Sequence, residues 1–215
     1  MARADLIVER RAGETLRIVL PFAIAALIVF PLALDLRLEL VSEIGVGIYW
    51  ALAILFGMQV ALRQTANDSP ERRDLHALAG VDPAARFTGR LVSGVVLMTA
   101  FMLVLLISMV VLFDPDLPDG GWPLLFLSIL LVAIGLTELG TLAGEVTAGL
   151  RSRSALASLI VAPLSLPLVI GATETVGALE RDTGILPWIL LLIATDLALA
   201  VAGVALAKPL EEATR

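Results

Sequence analysis

The sequence contains no cysteine and has only one lysine and one histidine in 215 residues. Without cysteine the chain cannot form disulfides, thiolate metal ligands or a CxxC redox pair. The lysine is Lys208, near the C-terminal end, and no GxxxxGK[ST] segment occurs, so the chain has no P-loop for ATP. A single histidine, His76, excludes paired-histidine zinc sites. We therefore predict no catalytic site, no metal site and no tightly bound cofactor in this chain.

Apolar residues dominate what is present. They make up 59% of the chain, and the mean hydropathy is +0.96. Several apolar runs approach 20 residues, which is the length that an α-helix needs to cross a bilayer. The sequence predicts an all-α membrane protein, organised as one transmembrane domain over residues 1–215 and beginning with an interfacial helix at residues 1–15. The six predicted spans are residues 16–34, 44–62, 87–113, 124–150, 155–172 and 188–207.

Two prolines lie inside the fifth predicted span, at Pro163 and Pro167. Proline lacks the backbone N–H that a helix requires, so we expect this span to be kinked or half-broken. Such a break is tolerated in a membrane only where protein or water covers the freed carbonyls. The polar residues 173–183 that follow are predicted to be partly re-entrant.

The basic residues are distributed unevenly between the two sides of the predicted membrane. Only Arg37 and Arg181 fall on outer loops, while thirteen of the fifteen fall on inner segments. An excess of Lys and Arg marks the cytoplasmic side. We therefore predict a multi-pass protein of the cell inner membrane with both termini in the cytoplasm. The inner residues are Arg3, Arg10, Arg11, Arg17, Arg63, Arg72, Arg73, Arg86, Arg90, Arg151, Arg153, Lys208 and Arg215.

The longest polar interruption, residues 63–90, holds a predicted short cytoplasmic helix at residues 69–80. Ser69 can cap it, Pro70 suits its first position, and Gly80 is a natural left-handed stop. Its apolar face with an arginine rim suits a coupling helix that docks on a cytoplasmic ATPase. The alternative is an interfacial helix resting on lipid headgroups. The candidate docking residues are Arg72, Arg73, Leu75 and Leu78.

Three carboxylates lie inside or near the predicted spans: Glu138, Glu145 and Asp196. A charge at bilayer depth costs about 2.5–3.5 kcal/mol on insertion scales, so such residues often have a function. One interpretation is a proton or substrate path. The other is a polar stripe that faces neighbouring helices and holds the bundle. We favour the second for Glu145, near the inner end of its span, and leave both open for Glu138 and Asp196.

Three segments together resemble one family of membrane proteins. They are GIYWALAILFGMQVALRQ at residues 47–64, ERRDLHALAGVDPAARFTGR at residues 71–90, and RSRSALASLIVAPLSLPLVIGATE at residues 151–174. With the N-terminal interfacial segment, they resemble the heme exporter protein B family, the membrane subunit of the ABC-type complex of cytochrome c maturation. Glu138, Glu145 and Glu174 depart from a more apolar family pattern.

The resemblance implies a six-helix bundle of the ABC-2 transporter type that takes part in heme handling. A separate cytoplasmic ABC ATPase subunit would bind ATP and move the membrane helices through residues 69–80. Heme would be a substrate of the complex, which would include companion heme-handling membrane subunits. The chain is expected to contact membrane lipid and no nucleic acid. A homodimer is compatible with the family. Two other functions stay open: an ABC-2 exporter permease for another substrate, and a proton-coupled carrier using Glu138 and Asp196.

Overall fold

The chain forms seven α-helices over the part that the computed structural model describes, which is residues 2–33, 38–66, 83–115, 117, 120–147 and 153–213. Side-chain environments are described for residues 16–33, 44–63, 88–115, 117, 120–147 and 159–206. The helices are α1 (Ala2–Ala33), α2 (Leu38–Ala66), α3 (Pro83–Phe113), α4 (Gly121–Val146), α5 (Arg153–Leu164), α6 (Leu166–Glu180) and α7 (Leu186–Ala213).

Six segments of these helices are long and apolar enough to cross a membrane. The predicted all-α, six-span architecture is thus confirmed, and the chain is a multi-pass membrane protein. The connection between α3 and α4, residues 114–120, is short, so these two helices run antiparallel. Proline falls in the first turn of α3, α4, α6 and α7, where its missing N–H leaves no helical bond unmade. The segments are Leu16–Ala33, Ile44–Arg63, Thr88–Phe113, Gly121–Val146, Leu159–Glu180 and Leu186–Leu206.

Helix α4 is the centre of the bundle. It contacts α2, α3, α5, α6 and α7, and two-thirds of its membrane segment (67%) is buried. The membrane segments of α1 and α7 are only 17% buried, so most of their apolar surface is left for lipid. Because lipid is as apolar as leucine, helices associate here through close packing and polar contacts rather than hydrophobic burial alone. The bundle is therefore organised around the small and polar residues of α4.

The fifth membrane segment is divided into α5 and α6 by a break at Ser165, between Pro163 and Pro167. The sequence predicted this break. The Ser165 hydroxyl donates to the Ala162 carbonyl over 2.8 Å, and so supplies a donor beside the break. The helix then continues to Glu180, eight residues beyond the predicted end at 172, so residues 173–180 are helical. Their hydroxyls permit this because Thr173 and Thr175 donate to carbonyls of α6 itself.

Helix α1 runs without a break from Ala2 to Ala33, so the predicted interfacial helix and the first span are one continuous helix. Pro21 consequently lies well inside α1. The predicted coupling helix at residues 69–80 lies outside the described residues. The structure resumes at Pro83, the first residue of α3.

Candidate functional site

The candidate docking residues Arg72, Arg73, Leu75 and Leu78 lie outside the part of the chain that the structure describes, and they stay predictions. The structure does describe the two helices that flank this segment. Helix α2 ends at Ala66, before the segment, and α3 begins at Pro83, after it. Any movement of the intervening segment would reach the membrane through these two helices. Both of these helices contact α4.

An ion pair joins the beginning of α3 to the end of α4. Arg90 Nη1 lies 2.7 Å from Glu145 Oε1, and the two side chains keep only 23% and 13% of their surface exposed. Arg90 is in the first part of α3, and Glu145 is in the last turn of α4. Because α3 and α4 run antiparallel, both residues lie on the same side of the bundle. The structure thus places Glu145 between helices, where it holds α3 and α4 together.

Glu138 and Asp196 lie close together in the interior, across the contact between α4 and α7. The two residues are only 3% and 7% exposed, and Asp196 Oδ1 lies against Gly135, one turn before Glu138 on α4. Glu145 is seven residues from Glu138, about 10 Å along α4, so it belongs to a different level of the bundle. The three predicted intramembrane polar residues therefore form two separate sites: the Arg90–Glu145 ion pair and the Glu138–Asp196 pair.

The Glu138–Asp196 pair lies where α4, α6 and α7 meet. An ideal Cβ on Gly135 would lie 2.7 Å from Asp196 Oδ1 and 2.6 Å from Leu168 Cδ2. Real Cβ atoms do not approach other atoms this closely, so any larger residue here would displace the ends of the Asp196 and Leu168 side chains. Gly135 is one turn before Glu138 on α4, on the same side of the helix. Its missing side chain is what lets the Asp196 carboxyl pack against the backbone of α4.

A second close contact joins α4 to α2, at Gly140 and Ala61. A Cβ on Gly140 would lie 3.2 Å from Ala61 Cα and closer still to Ala61 Cβ. The threonines of the predicted polar stripe do not reach across such contacts. Thr137 and Thr141 donate to the carbonyls of Ala133 and Thr137, each over 2.7 Å, within α4 itself. Within α4, Gly135 and Gly140 thus allow close contacts with neighbouring helices, Glu145 is held in an ion pair, and Glu138 keeps a buried oxygen without a hydrogen-bond partner.

The only tyrosine, Tyr49, is fully buried, and its hydroxyl donates to the Met102 carbonyl over 3.2 Å. It packs edge-on against Trp50, with ring centroids 5.1 Å apart. Met98, Met102 and Met109 are also without exposed surface. Among the described residues, no group of three His, Cys, Asp or Glu side chains is placed to hold a metal ion.

Comparison with known proteins agrees with this architecture. A model of the family described as CcmB protein matches residues 1–213. The chain belongs to the CcmB family. It is similar to heme exporter protein B of Pseudomonas aeruginosa, with 30% identity over 213 residues, which covers 93% of this chain and 90% of that protein. The CcmB match spans every helix described above and includes the segment with the predicted coupling helix.

Several residues that shape the interior of this CcmB-family chain were missed from the sequence. The sequence gives no reason to select Gly135 and Leu168, although the Asp196 carboxyl packs at the Gly135 position beside Leu168. Arg90 was identified only as one of many cytoplasmic arginines, without a partner. A signal for it existed: Arg90 and Glu145 carry opposite charges at the inner ends of adjacent predicted spans. For Gly140, the sequence signal was its four-residue spacing from Gly144, a pattern too common in apolar helices to identify its partner.

Proposed function

We propose that this chain is the membrane subunit of an ABC-type complex for heme handling in cytochrome c maturation. The observation that carries the proposal is the CcmB family match over residues 1–213, with a relative named heme exporter protein B aligned over nearly its whole length. The six-span bundle and the absence of a P-loop are consistent with a subunit that performs transport work without binding ATP itself.

A separate cytoplasmic ATPase subunit is part of this proposal. ATP-driven movement must enter the membrane through a segment that contacts that subunit, and residues 69–80 are suited to this by their caps and their apolar face. The chain itself is then a permease subunit without catalytic residues. Companion membrane subunits would receive or deliver the heme.

The described contacts support a route for this movement. Residues 69–80 end shortly before α3, and the Arg90–Glu145 ion pair fixes the start of α3 to the end of α4. Before the segment, α2 is in close contact with α4 at Ala61 and Gly140. A displacement of the coupling segment would therefore be transmitted to α4, the central helix, by both of its flanking helices.

Heme is best assigned as a substrate of the complex, without an iron ligand from the described part of this chain. Protein ligands to heme iron are usually His, Met, Cys or Tyr side chains. The Tyr49 hydroxyl is buried and already donates to the Met102 carbonyl. Met98, Met102 and Met109 have no exposed surface, and Met58, which is partly buried, packs against the hydrophobic core. We infer that this subunit transmits movement, and that a companion subunit supplies the ligands to iron.

The orientation belongs to the same proposal. Both termini and residues 69–80 are placed in the cytoplasm because the basic residues concentrate on that side, and the protein is assigned to the cell inner membrane. This places the Arg90–Glu145 pair near the cytoplasmic surface, close to the proposed ATPase. The Glu174–Arg181 ion pair would then lie at the outer surface, where both side chains are partly exposed.

Deletion of the gene in its own host, with plasmid complementation, tests this function. We expect the deletion to remove covalent heme from c-type cytochromes while non-covalent heme proteins keep theirs, and the intact gene to restore it. An inactive ATPase partner, with its P-loop lysine substituted, should give the same defect. Normal c-type cytochromes in the deletion strain would reject the proposal. Changed export of a lipid, polysaccharide or drug in that strain would then favour an ABC-2 permease for another substrate.

A further inference from the structure

Three acceptor oxygens in the Glu138–Asp196 pair have no hydrogen-bond partner. They are Glu138 Oε2 and both carboxyl oxygens of Asp196, and each is inaccessible to solvent. Buried polar atoms in proteins are nearly always hydrogen-bonded, and a buried carboxylate without a partner costs several kcal/mol. Two such side chains face each other across the contact between α4 and α7, where Asp196 Oδ1 lies one turn from Glu138, and each is more than nine-tenths buried. This arrangement indicates that something neutralises them.

No basic side chain in the described part of the chain is placed to neutralise Glu138 and Asp196. From α2 and α6, the residues that pack against this part of α4 include Ala61 and Leu168, which carry no charge. Arg90 of α3 is paired with Glu145, and Glu145 lies about 10 Å from Glu138 along α4. A partner subunit cannot supply a counter-charge either, because the two carboxyls are inside the bundle. Of the other charged side chains whose surroundings the structure describes, Arg17 and Arg63 lie at the ends of their membrane segments, and Glu174 is paired with Arg181. The remaining ones lie at the end of α6 or in the connections between helices: Asp114, Glu180 and Asp182.

We propose that Glu138 and Asp196 form a proton-binding site at the contact between α4 and α7, and that at least one of these carboxyls carries a proton while the two helices are packed. Two carboxyls that share an apolar site cannot both be ionised at low cost, and a proton removes one charge without needing space. The protonated O–H also becomes a donor for an otherwise unsatisfied carboxyl oxygen.

A metal cation fits the same place poorly. Sites for hard cations such as Ca²⁺ use six or more oxygen ligands at 2.3–2.6 Å, and this one offers few. The Thr137 and Thr141 hydroxyls are directed to backbone carbonyls of α4. Asp196 Oδ1 and the Leu168 side chain already fill the space beside Gly135 where a side chain would lie. The chemistry and the space thus both favour a proton.

The site links protonation to helix packing. With the proton bound, Asp196 can stay against Gly135 in the dry interior. Loss of the proton creates a second buried negative charge, which would have to be hydrated by separating α4 from α7. By linkage, anything that stabilises the packed form of these helices strengthens proton binding to the same extent. This site is independent of the proposed ATPase partner and of heme.

Infrared spectroscopy of the full-length protein in lipid tests the proposal. A protonated carboxyl gives a C=O stretch that a carboxylate lacks, so we expect this band in the wild type and its partial loss in Glu138→Gln, in Asp196→Asn, or in both. Glu174→Gln, which alters a partly exposed carboxyl paired with Arg181, should leave the band unchanged. An unchanged band in both interior variants would overturn the proposal. So would a band that disappears when sodium replaces choline at constant ionic strength.

A second measurement needs no variant and therefore does not depend on variant folding. Dicyclohexylcarbodiimide reacts with protonated carboxyls in apolar surroundings, and its adducts can be located by mass spectrometry in native membranes. We expect an adduct at Glu138 or Asp196 and none at Glu145, which is ion-paired with Arg90. Adducts confined to other carboxyls of the chain would contradict the proton site.

Discussion

Arg90 and Glu145 are joined by an ion pair of 2.7 Å that fastens the start of α3 to the last turn of α4. The pair is only partly exposed, so each charge has lost much of its hydration and depends on the other. Arg90 follows the proposed ATPase-docking segment, residues 69–80, within the first turns of α3. A break at this point should affect both the stability of the bundle and the transfer of movement to α4.

Glu145→Gln should lower the free energy of unfolding by about 1.5–3 kcal/mol, the range for a hydrogen bond to a charged group. Thermal unfolding in detergent would measure this, and the same variant should reduce c-type cytochrome yield. The matched control is Glu174→Gln, whose more exposed pair with Arg181 should contribute no more than about 1 kcal/mol. Equal stability losses in the two variants would show that the Arg90–Glu145 pair has no special role.

Gly140→Ala should destabilise the bundle, because its new Cβ would meet the backbone and side chain of Ala61. Overpacking of this kind typically costs about 1–3 kcal/mol. Gly47→Ala is the matched control, since a Cβ at this α2 position has no atom within 4 Å. Thermal unfolding of the two variants should separate them clearly. A Gly140→Ala protein as stable as Gly47→Ala would mean that α2 and α4 are not in close contact there.

The neutral variants Glu138→Gln and Asp196→Asn should assemble and largely retain cytochrome c maturation. Each amide resembles a protonated carboxyl in size and charge, so the packed form of α4 and α7 is preserved. The readouts are protein level in the membrane and heme-stained c-type cytochromes. An Asp196→Asn protein that assembles correctly but is inactive would favour a carrier in which this carboxyl must release its proton.

Much of the fold could be predicted from residues whose effect is local. Apolar runs near 20 residues identify the spans, and Pro163 and Pro167 identify the break at Ser165, because proline removes helical hydrogen bonds wherever it occurs. The Glu138–Asp196 and Gly140–Ala61 contacts could not be predicted in this way. They depend on which helices are neighbours and on how each is rotated, and nearly uniform apolar faces leave both undetermined. The end of the fifth span was missed because Thr173 and Thr175 look polar in sequence but satisfy their hydroxyls within α6.

The orientation can be tested with single cysteines, since the natural chain has none. Asp119→Cys and Asp182→Cys should react with an impermeant thiol reagent added outside intact cells, and Ser152→Cys should react only after the cells are opened. The basis is the concentration of basic residues on the predicted cytoplasmic side. Labelling of Ser152→Cys in intact cells would reverse the assigned orientation.

Docking of residues 69–80 on an ATPase subunit is the central claim, and co-purification of the two proteins tests it most directly. Leu75→Asp combined with Leu78→Asp places two charges in the apolar face, where most of the binding energy should lie. The control, Ala77→Asp, adds a charge outside the apolar face formed by Leu75 and Leu78. We expect the double variant to insert normally but to lose the ATPase and cytochrome c maturation, while the control keeps both. Recovery of the ATPase with the double variant at wild-type yield would contradict the docking claim.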